Sequence, residues 1–143
     1  MTKVVVRSGP GLTQEITAGL NSLVSDEPVA AGGGGEGPDP YSLLLAALGA
    51  CTSMTLELYA RRKGWPLEDV VVELHHSRVY AADCEHCEDP RAFVDHVALR
   101  IVVRGALDGA QVARLRDIAR KCPVHKTLVA GIKVDDEIAL AAP

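Results

Sequence analysis

Apolar residues recur along this chain in distinct rhythms, and each rhythm predicts a different element. Between Pro40 and Lys63, residues Leu44, Ala47, Leu48, Cys51, Met54, Thr55 and Leu58 return at three- and four-residue intervals, as on a helix with one apolar stripe. Asp39 and Pro40 supply an N-cap and a first helical position, while Gly64 with Pro66 beyond supplies a stop. The pattern therefore predicts a helix over 40–63 with Cys51 in the middle of its stripe. At about 1.5 Å per residue it is about 35 Å long, the diameter of a small domain, which makes it the central element and long enough to share with a second subunit.

Strict alternation marks Val70 to Tyr80 and again Val97 to Arg104, so 67–104 reads as strands joined by the polar connection Ala81 to Pro90. The β-branched run Val4-Val5-Val6 and the stretch 12–24, with a turn at Gly19-Leu20-Asn21, predict an N-terminal meander within residues 1–36. Ala31 to Pro40 is too rich in Gly and Pro for regular structure. It reads either as a flexible loop or as backbone that must come close to a ligand or partner chain. In the last segment, 108–143, Asp108 caps a helix carrying Val112, Leu115, Ile118 and Ala119 inward, and a second helix starts at Pro123. Ile132-Lys133-Val134 and Ile138-Ala139-Leu140 predict a closing strand.

Length and composition narrow the picture. The 143 residues amount to one domain, 1–143, able to bury a core without disulfides or metal. A net charge of -4 with scattered basic residues argues against a nucleic-acid partner, and 3% aromatic content leaves no stacking platform for single strands. The first residues lack the apolar region and cleavage site of a signal peptide, and no apolar run reaches the ~20 residues of a membrane span. The expectation is a cytoplasmic protein without a membrane partner. There thiols stay reduced, and four cysteines point to catalytic, redox or metal chemistry.

Two of the cysteines sit in unlike settings. Cys122 precedes Pro123 and so falls at a helix start beside Lys121, His125 and Lys126, where positive potential favours thiolate. Cys51 lies in mid-helix on an apolar face, a position equally suited to a small core residue. A buried thiol, Cys51, and an exposed-leaning, acidified one, Cys122, are what a two-cysteine redox cycle needs, although nothing in the residues alone brings the two sulfurs together. His125 would raise the thiolate fraction of Cys122, or is a solvated residue of a first helical turn.

The other pair, Cys84 and Cys87, forms a lone C-x-x-C between strands. Its readings are half a zinc site, with His86, His75, His76 or His96 as further ligands, a secondary redox pair, or loop cysteines without an essential role. His75 and His76 are adjacent on a strand and point to opposite faces. Gly32 to Gly35 lacks the Lys-Ser/Thr ending of a phosphate loop, and no Ser-His-Asp or paired-carboxylate pattern is present.

Gly37-Pro38-Asp39-Pro40-Tyr41-Ser42-Leu43-Leu44-Leu45-Ala46-Ala47-Leu48-Gly49-Ala50-Cys51, followed downstream by Cys122-Pro123-Val124-His125, resembles the OsmC/Ohr family of osmotically inducible protein C and the organic hydroperoxide resistance proteins. The resemblance extends over essentially the whole chain, including Asp26-Glu27-Pro28 and Gly105-Ala106-Leu107-Asp108. It implies an α+β fold, with long central helices wrapped by antiparallel sheet in an intertwined homodimer and active sites at the dimer interface. It also implies an antioxidant thiol peroxidase, an oxidoreductase without cofactor. Cys51 would attack an organic hydroperoxide, Cys122 would resolve the sulfenate as a disulfide, and a dithiol reductant would reopen it.

The chain departs from the family pattern twice. Those peroxidases place a glutamate after the Asn-Pro or Asp-Pro pair and an arginine in the N-terminal strands. Here Tyr41 stands in the first position, with Glu36 the candidate substitute carboxylate, and Arg7 is the only early arginine. The competing expectation is therefore a dimer that has lost the Arg/Glu activation pair and binds a small ligand or a metal instead. A third is a structural dimer in which both helix cysteines merely pack.

Overall fold

The computed structural model describes residues 2–80 and 93–142. The elements follow in the order β1 (Val4–Ser8), β2 (Gln14–Ala18), β3 (Asn21–Ser25), α1 (Pro40–Lys63), β4 (Leu67–Tyr80), β5 (Phe93–Gly105), α2 (Gly109–Ala119) and α3 (Pro123–Ala130), with a 3-10 turn at Val29–Ala31. The first three strands form an antiparallel meander in which Val6 faces Ile16 and Ile16 faces Leu23. β4 and β5 form a second, two-stranded sheet tied by cross-strand pairs such as His76 with Asp95 and Glu73 with Arg100.

The predicted ends of α1 are its real ends, for the expected chemical reasons. Asp39 accepts the amide of Ser42 at 2.6 Å, which fills one of the orphan donors of the first turn. At the other end Gly64 takes φ +65, and the amides of Gly64 and Trp65 bond back to Arg61 and Ala60 at 3.1 and 2.9 Å. That is a Schellman close, and Arg61, Arg62 and Lys63 set positive charge against the helix dipole there. α2 starts with a reciprocal box: Asp108 accepts from the amide of Gln111, and Gln111 accepts from the amide of Asp108.

The buried face of α1 is not the predicted stripe. Leu48, Thr52, Leu56 and Ala60 are buried, one residue every four, whereas Leu44, Met54 and Leu58 are exposed. The helix is apolar nearly all round, so periodicity alone does not select a face. By length and composition α1 also meets the requirement for a membrane span, with mean hydropathy 1.5 over 18 residues and 28% of that window buried. This corrects the expectation that no apolar run here reaches membrane-span length: the window stays apolar on average although it contains Gly49, Thr52 and Ser53.

The predicted closing strand is absent. Residues 131–142 carry no regular structure, and Ile138 and Leu140 are each 99% exposed. A strand exists through its ladder, and no described strand of this chain pairs with that segment.

The chain divides into two compact units, and α1, β4 and β5 contribute to both. The first comprises the chain up to Gly49 together with Glu73–Arg100, and the second Ala50–Val72 together with the chain from Ile101 onward. In the first, the buried Asp26 carboxylate accepts the amides of Glu27, Gly34 and Glu36 at 2.8, 3.0 and 3.2 Å. The glycine run is what lets the chain wrap it: a Cβ on Gly33 would meet the carbonyl oxygen of Glu27, and one on Gly37 that of Val24. In the second, Leu56 of α1 packs with Leu115, Ile118 and Ala119 of α2, flanked by Tyr59, Trp65, Val70 and Ile101.

Candidate active site

The second unit holds both helix cysteines. Cys51 lies on α1 one turn before the core residue Leu56 and is partly exposed. The hydroxyl of Thr55 donates to its carbonyl at 2.7 Å. Cys122 is fully buried, at 0% exposure, in the turn between α2 and α3, so the expected exposures are reversed: Cys51, not Cys122, is the more open of the two. Its amide bonds back to Ala119 at 3.3 Å, while its carbonyl accepts the amide of Lys126 at 3.1 Å and so starts α3. The Leu56–Leu115–Ile118–Ala119 core thus holds α1 against α2.

Cys122 is the N-cap residue of α3, with Pro123 at the first position, and its sulfur accepts the amide of His125 at 3.5 Å. A thiolate suits that place because the free amides of a first helical turn point at it. The two thiols are free, and each influences the titration of the other. Burial pushes the Cys51 thiol up, and its hydrogen bond to Cys122 adds to the rise. Burial acts on Cys122 in the same sense but is outweighed there. Hydrogen bonds from Cys51, from the amides of His125 and Val124 and from the hydroxyl of Thr52 hold Cys122 below an ordinary thiol. The first proton lost from the pair therefore leaves its charge on Cys122. Such an arrangement can pass a proton between sulfurs and close a disulfide after a small approach.

The remaining sequence candidates have other partners. Tyr41, in the first turn of α1, stacks on His76 with ring centroids 4.4 Å apart and an 18° interplanar angle. His76 meets Asp95 at 2.9 Å, and Arg78 donates to Asp95 at 3.3 Å and to the Tyr41 hydroxyl. Tyr41 therefore belongs to a polar cluster of the first unit that sequence reasoning did not identify. His75 is exposed and His76 half-buried, as alternation along a strand requires. Arg7 is exposed on β1 opposite Glu15, and Glu36 uses its backbone amide to bind Asp26. His125 contributes its amide to Cys122.

Cys84, His86 and Cys87 lie outside the described residues, and among the described residues no group of three or more His, Cys, Asp or Glu side chains could hold a metal ion. Thr52, the hydroxyl facing Cys122, was missed by the sequence reading. The signal available for it was its place in the four-residue row with Leu48, Leu56 and Ala60.

An α+β chain with this long helix, antiparallel strands and two further helices has the fold of one known class. The family model of OsmC-like proteins matches residues 33–137, and the chain belongs to that family. Among solved structures it is similar to an OsmC-like protein of Mycoplasma pneumoniae, with TM-score 0.72 and 17% identity over 90% of this chain and 87% of that one. An organic hydroperoxide resistance protein OsmC of Legionella pneumophila gives TM-score 0.62 and 25% identity over 88% and 87%. The organic hydroperoxide resistance protein OhrB of Bacillus subtilis gives 0.59 and 26% over 88% of each chain. No curated protein matches the sequence.

Proposed function

We propose that this chain is a thiol peroxidase that reduces organic hydroperoxides, with Cys51 as the attacking and Cys122 as the resolving sulfur. The observation that carries the reading is the pair of free thiols that influence each other's titration, Cys51 partly exposed and Cys122 buried. The hydroperoxide resistance proteins of Bacillus subtilis and Legionella pneumophila, similar in fold at 26% and 25% identity, support the same substrate class.

In the first step the Cys51 thiolate attacks the distal oxygen of R–O–O–H. The S–O bond forms, the O–O bond breaks, sulfur loses two electrons, and the alkoxide leaves to become the alcohol. In the second, the Cys122 thiolate attacks the Cys51 sulfenic sulfur, the S–S bond forms, and hydroxide leaves to become water. A dithiol reductant then exchanges with the disulfide, returns both thiols and is itself oxidised. No metal or cofactor enters the cycle. A reducing cytoplasm would keep the pair ready.

The working form in this proposal is a homodimer. Met54 and Leu58 of α1, at 62% and 57% exposure, are an apolar cost that a second copy would remove. Turnover of cumene hydroperoxide with a dithiol tests the reading. Cys51→Ser should abolish it, and Cys122→Ser should stop after one oxidation of Cys51. Full cycling by Cys122→Ser would remove the resolving role. An inert wild type would leave the ligand-binding alternative.

A further inference from the structure

Positive charge in this acidic chain collects in one unit. The second unit, 50–72 with 101–143, holds ten of the Lys and Arg residues against eight Asp and Glu, whereas the rest of the chain holds five against eleven. Within it two cations converge on one phenol. Arg114 of α2 donates from Nε to the Tyr59 hydroxyl of α1 at 3.1 Å, with its Cζ 5.7 Å from the ring centre, and the Lys63 ammonium lies 5.7 Å from the same centre. The ring itself is anchored: Tyr59 packs against the Leu56–Leu115–Ile118–Ala119 core and meets Trp65 edge-on, with centroids 5.5 Å apart at 77°. The bond from Nε therefore ties a planar guanidinium to a fixed point of the fold.

What this cluster leaves over is all of one kind. Arg114 keeps both terminal amino groups, Lys63 keeps its ammonium, and Tyr59 keeps its O–H, because the phenol oxygen is the acceptor of the Arg114 bond. Among the described residues neither Lys63 nor Arg114 makes an ion pair. The negative end of the α1 dipole calls for only about half a charge, and Arg62 stands next to Lys63 in that last turn. A set of donors without acceptors is suited to an oxyanion.

We propose that Tyr59, Lys63 and Arg114 form a phosphate-binding site, which takes the dianion of inorganic phosphate or of a small phosphate monoester. The terminal amino groups of Arg114 form a fork for two phosphate oxygens, and the Lys63 ammonium and the Tyr59 O–H are the further donors. Two cations match the charge of about −1.5 to −2 on a phosphate monoester at pH 7 better than the single charge of a carboxylate. Lys121 adds to the positive field at the phenol, and Asp117 opposes it at Arg114. The titration of Tyr59 agrees with that field: the Arg114 hydrogen bond first, then the charges of Arg114, Lys63 and Lys121, hold the phenol below the ordinary tyrosine range against the effect of burial. Tyr59 stands about 12 Å along α1 from Cys51 by helical rise. The site is thus separate from the thiols and independent of the peroxidase reading.

The test is isothermal titration of the reduced full-length protein in a chloride buffer, with inorganic phosphate, glycerol phosphate and acetate compared at matched ionic strength. Saturable one-to-one binding of phosphate or of the monoester is expected, about tenfold or more tighter than acetate. Tighter binding of glycerol phosphate identifies a phosphorylated small molecule as the ligand, and binding of inorganic phosphate alone identifies the free ion. Arg114→Gln should weaken binding about tenfold or more, and Tyr59→Phe, which keeps the ring, by about a few-fold. Arg116→Gln makes the same charge change on α2 outside the cluster and should leave binding as in wild type.

No saturation with either phosphate ligand overturns the proposal, and acetate binding as tightly as phosphate overturns the dianion assignment. Equal losses in Arg114→Gln and Arg116→Gln would mean an adventitious ion only, drawn by net charge, and overturn the site. Should Arg114→Gln prove too unstable to titrate, Lys63→Gln at an exposed position carries the same expectation and the same power to overturn it.

Discussion

Asp26 and Cys122 are both buried acceptors filled by backbone amides, yet their consequences differ. The three amides on Asp26 come from within ten residues of it along the chain and make a closed loop. The hydrogen bond from the amide of Glu36 is the largest influence on Asp26 and, with those of Glu27 and Gly34, holds its carboxyl below the usual range despite burial. A depressed folded pKa stabilises the fold at pH values above the unfolded carboxylate range and loses that contribution as pH falls through the folded value. Asp26→Asn should therefore lower the melting temperature by a few degrees at pH 7. The gap to wild type should narrow as pH falls below about 4, where the unfolded carboxyl takes up its proton while the folded one still resists it. Calorimetry from pH 7 to pH 3 checks this, and a gap that does not change with pH would contradict it. Sequence reading left the glycine run either flexible or shaped by a ligand. Its purpose was hidden because it depends on one aspartate eight to ten residues away and on close approaches to Glu27 and Val24 that only the folded chain displays.

At the scale of the element, legibility follows how local the determining interaction is. The ends of α1 were readable because Asp39 and Gly64 act on neighbours within a turn or two, and the start of α2 was readable for the same reason at Asp108. The buried row Leu48–Thr52–Leu56–Ala60 was not, because a helix this uniformly apolar hides its inner face until α2 packs on it. The segment 131–142 failed as a strand because alternation describes a side-chain pattern and supplies no partner for the ladder. The site divides the same way. Cys51 and Cys122 were visible as residue types, but their mutual influence and the Thr52 hydroxyl required the fold. Leu56, at 1% exposure, joins α1 to α2. Leu56→Ala should cost about 2–5 kcal/mol by urea denaturation. It should also slow Cys51–Cys122 disulfide closure, since the helices carrying the sulfurs lose their shared contact. Unchanged closure in a measurably destabilised protein would mean that the sulfurs are positioned by something else.

For the whole molecule, what is exposed carries as much information as what is buried. Among the described residues the fully buried hydrophobic positions include Leu48, Leu56, Leu115 and Ile118, while Met54, Leu58, Val71 and Val102 remain open to solvent on α1, β4 and β5. Burial of apolar area is the main driving force of association, at about 25 cal/mol per Å². In the proposed dimer a second copy covering α1 would shield Met54 and Leu58. Met54→Asp should convert the proposed dimer to monomer in sedimentation equilibrium, whereas a wild type that sediments as a monomer would contradict the proposal directly. Family membership rests on the match over residues 33–137 and is independent of that outcome.

The central claim is that Cys51 and Cys122 form one redox unit, and its most direct test maps disulfides by mass spectrometry after one equivalent of oxidant. Fully reduced protein is mixed with cumene hydroperoxide or, in parallel, with hydrogen peroxide, and sampled over time. The account predicts rapid conversion to a single Cys51–Cys122 disulfide, faster with the organic peroxide. Oxidation confined to Cys84 and Cys87, or slow over-oxidation of Cys51 with Cys122 left as a free thiol, would contradict it.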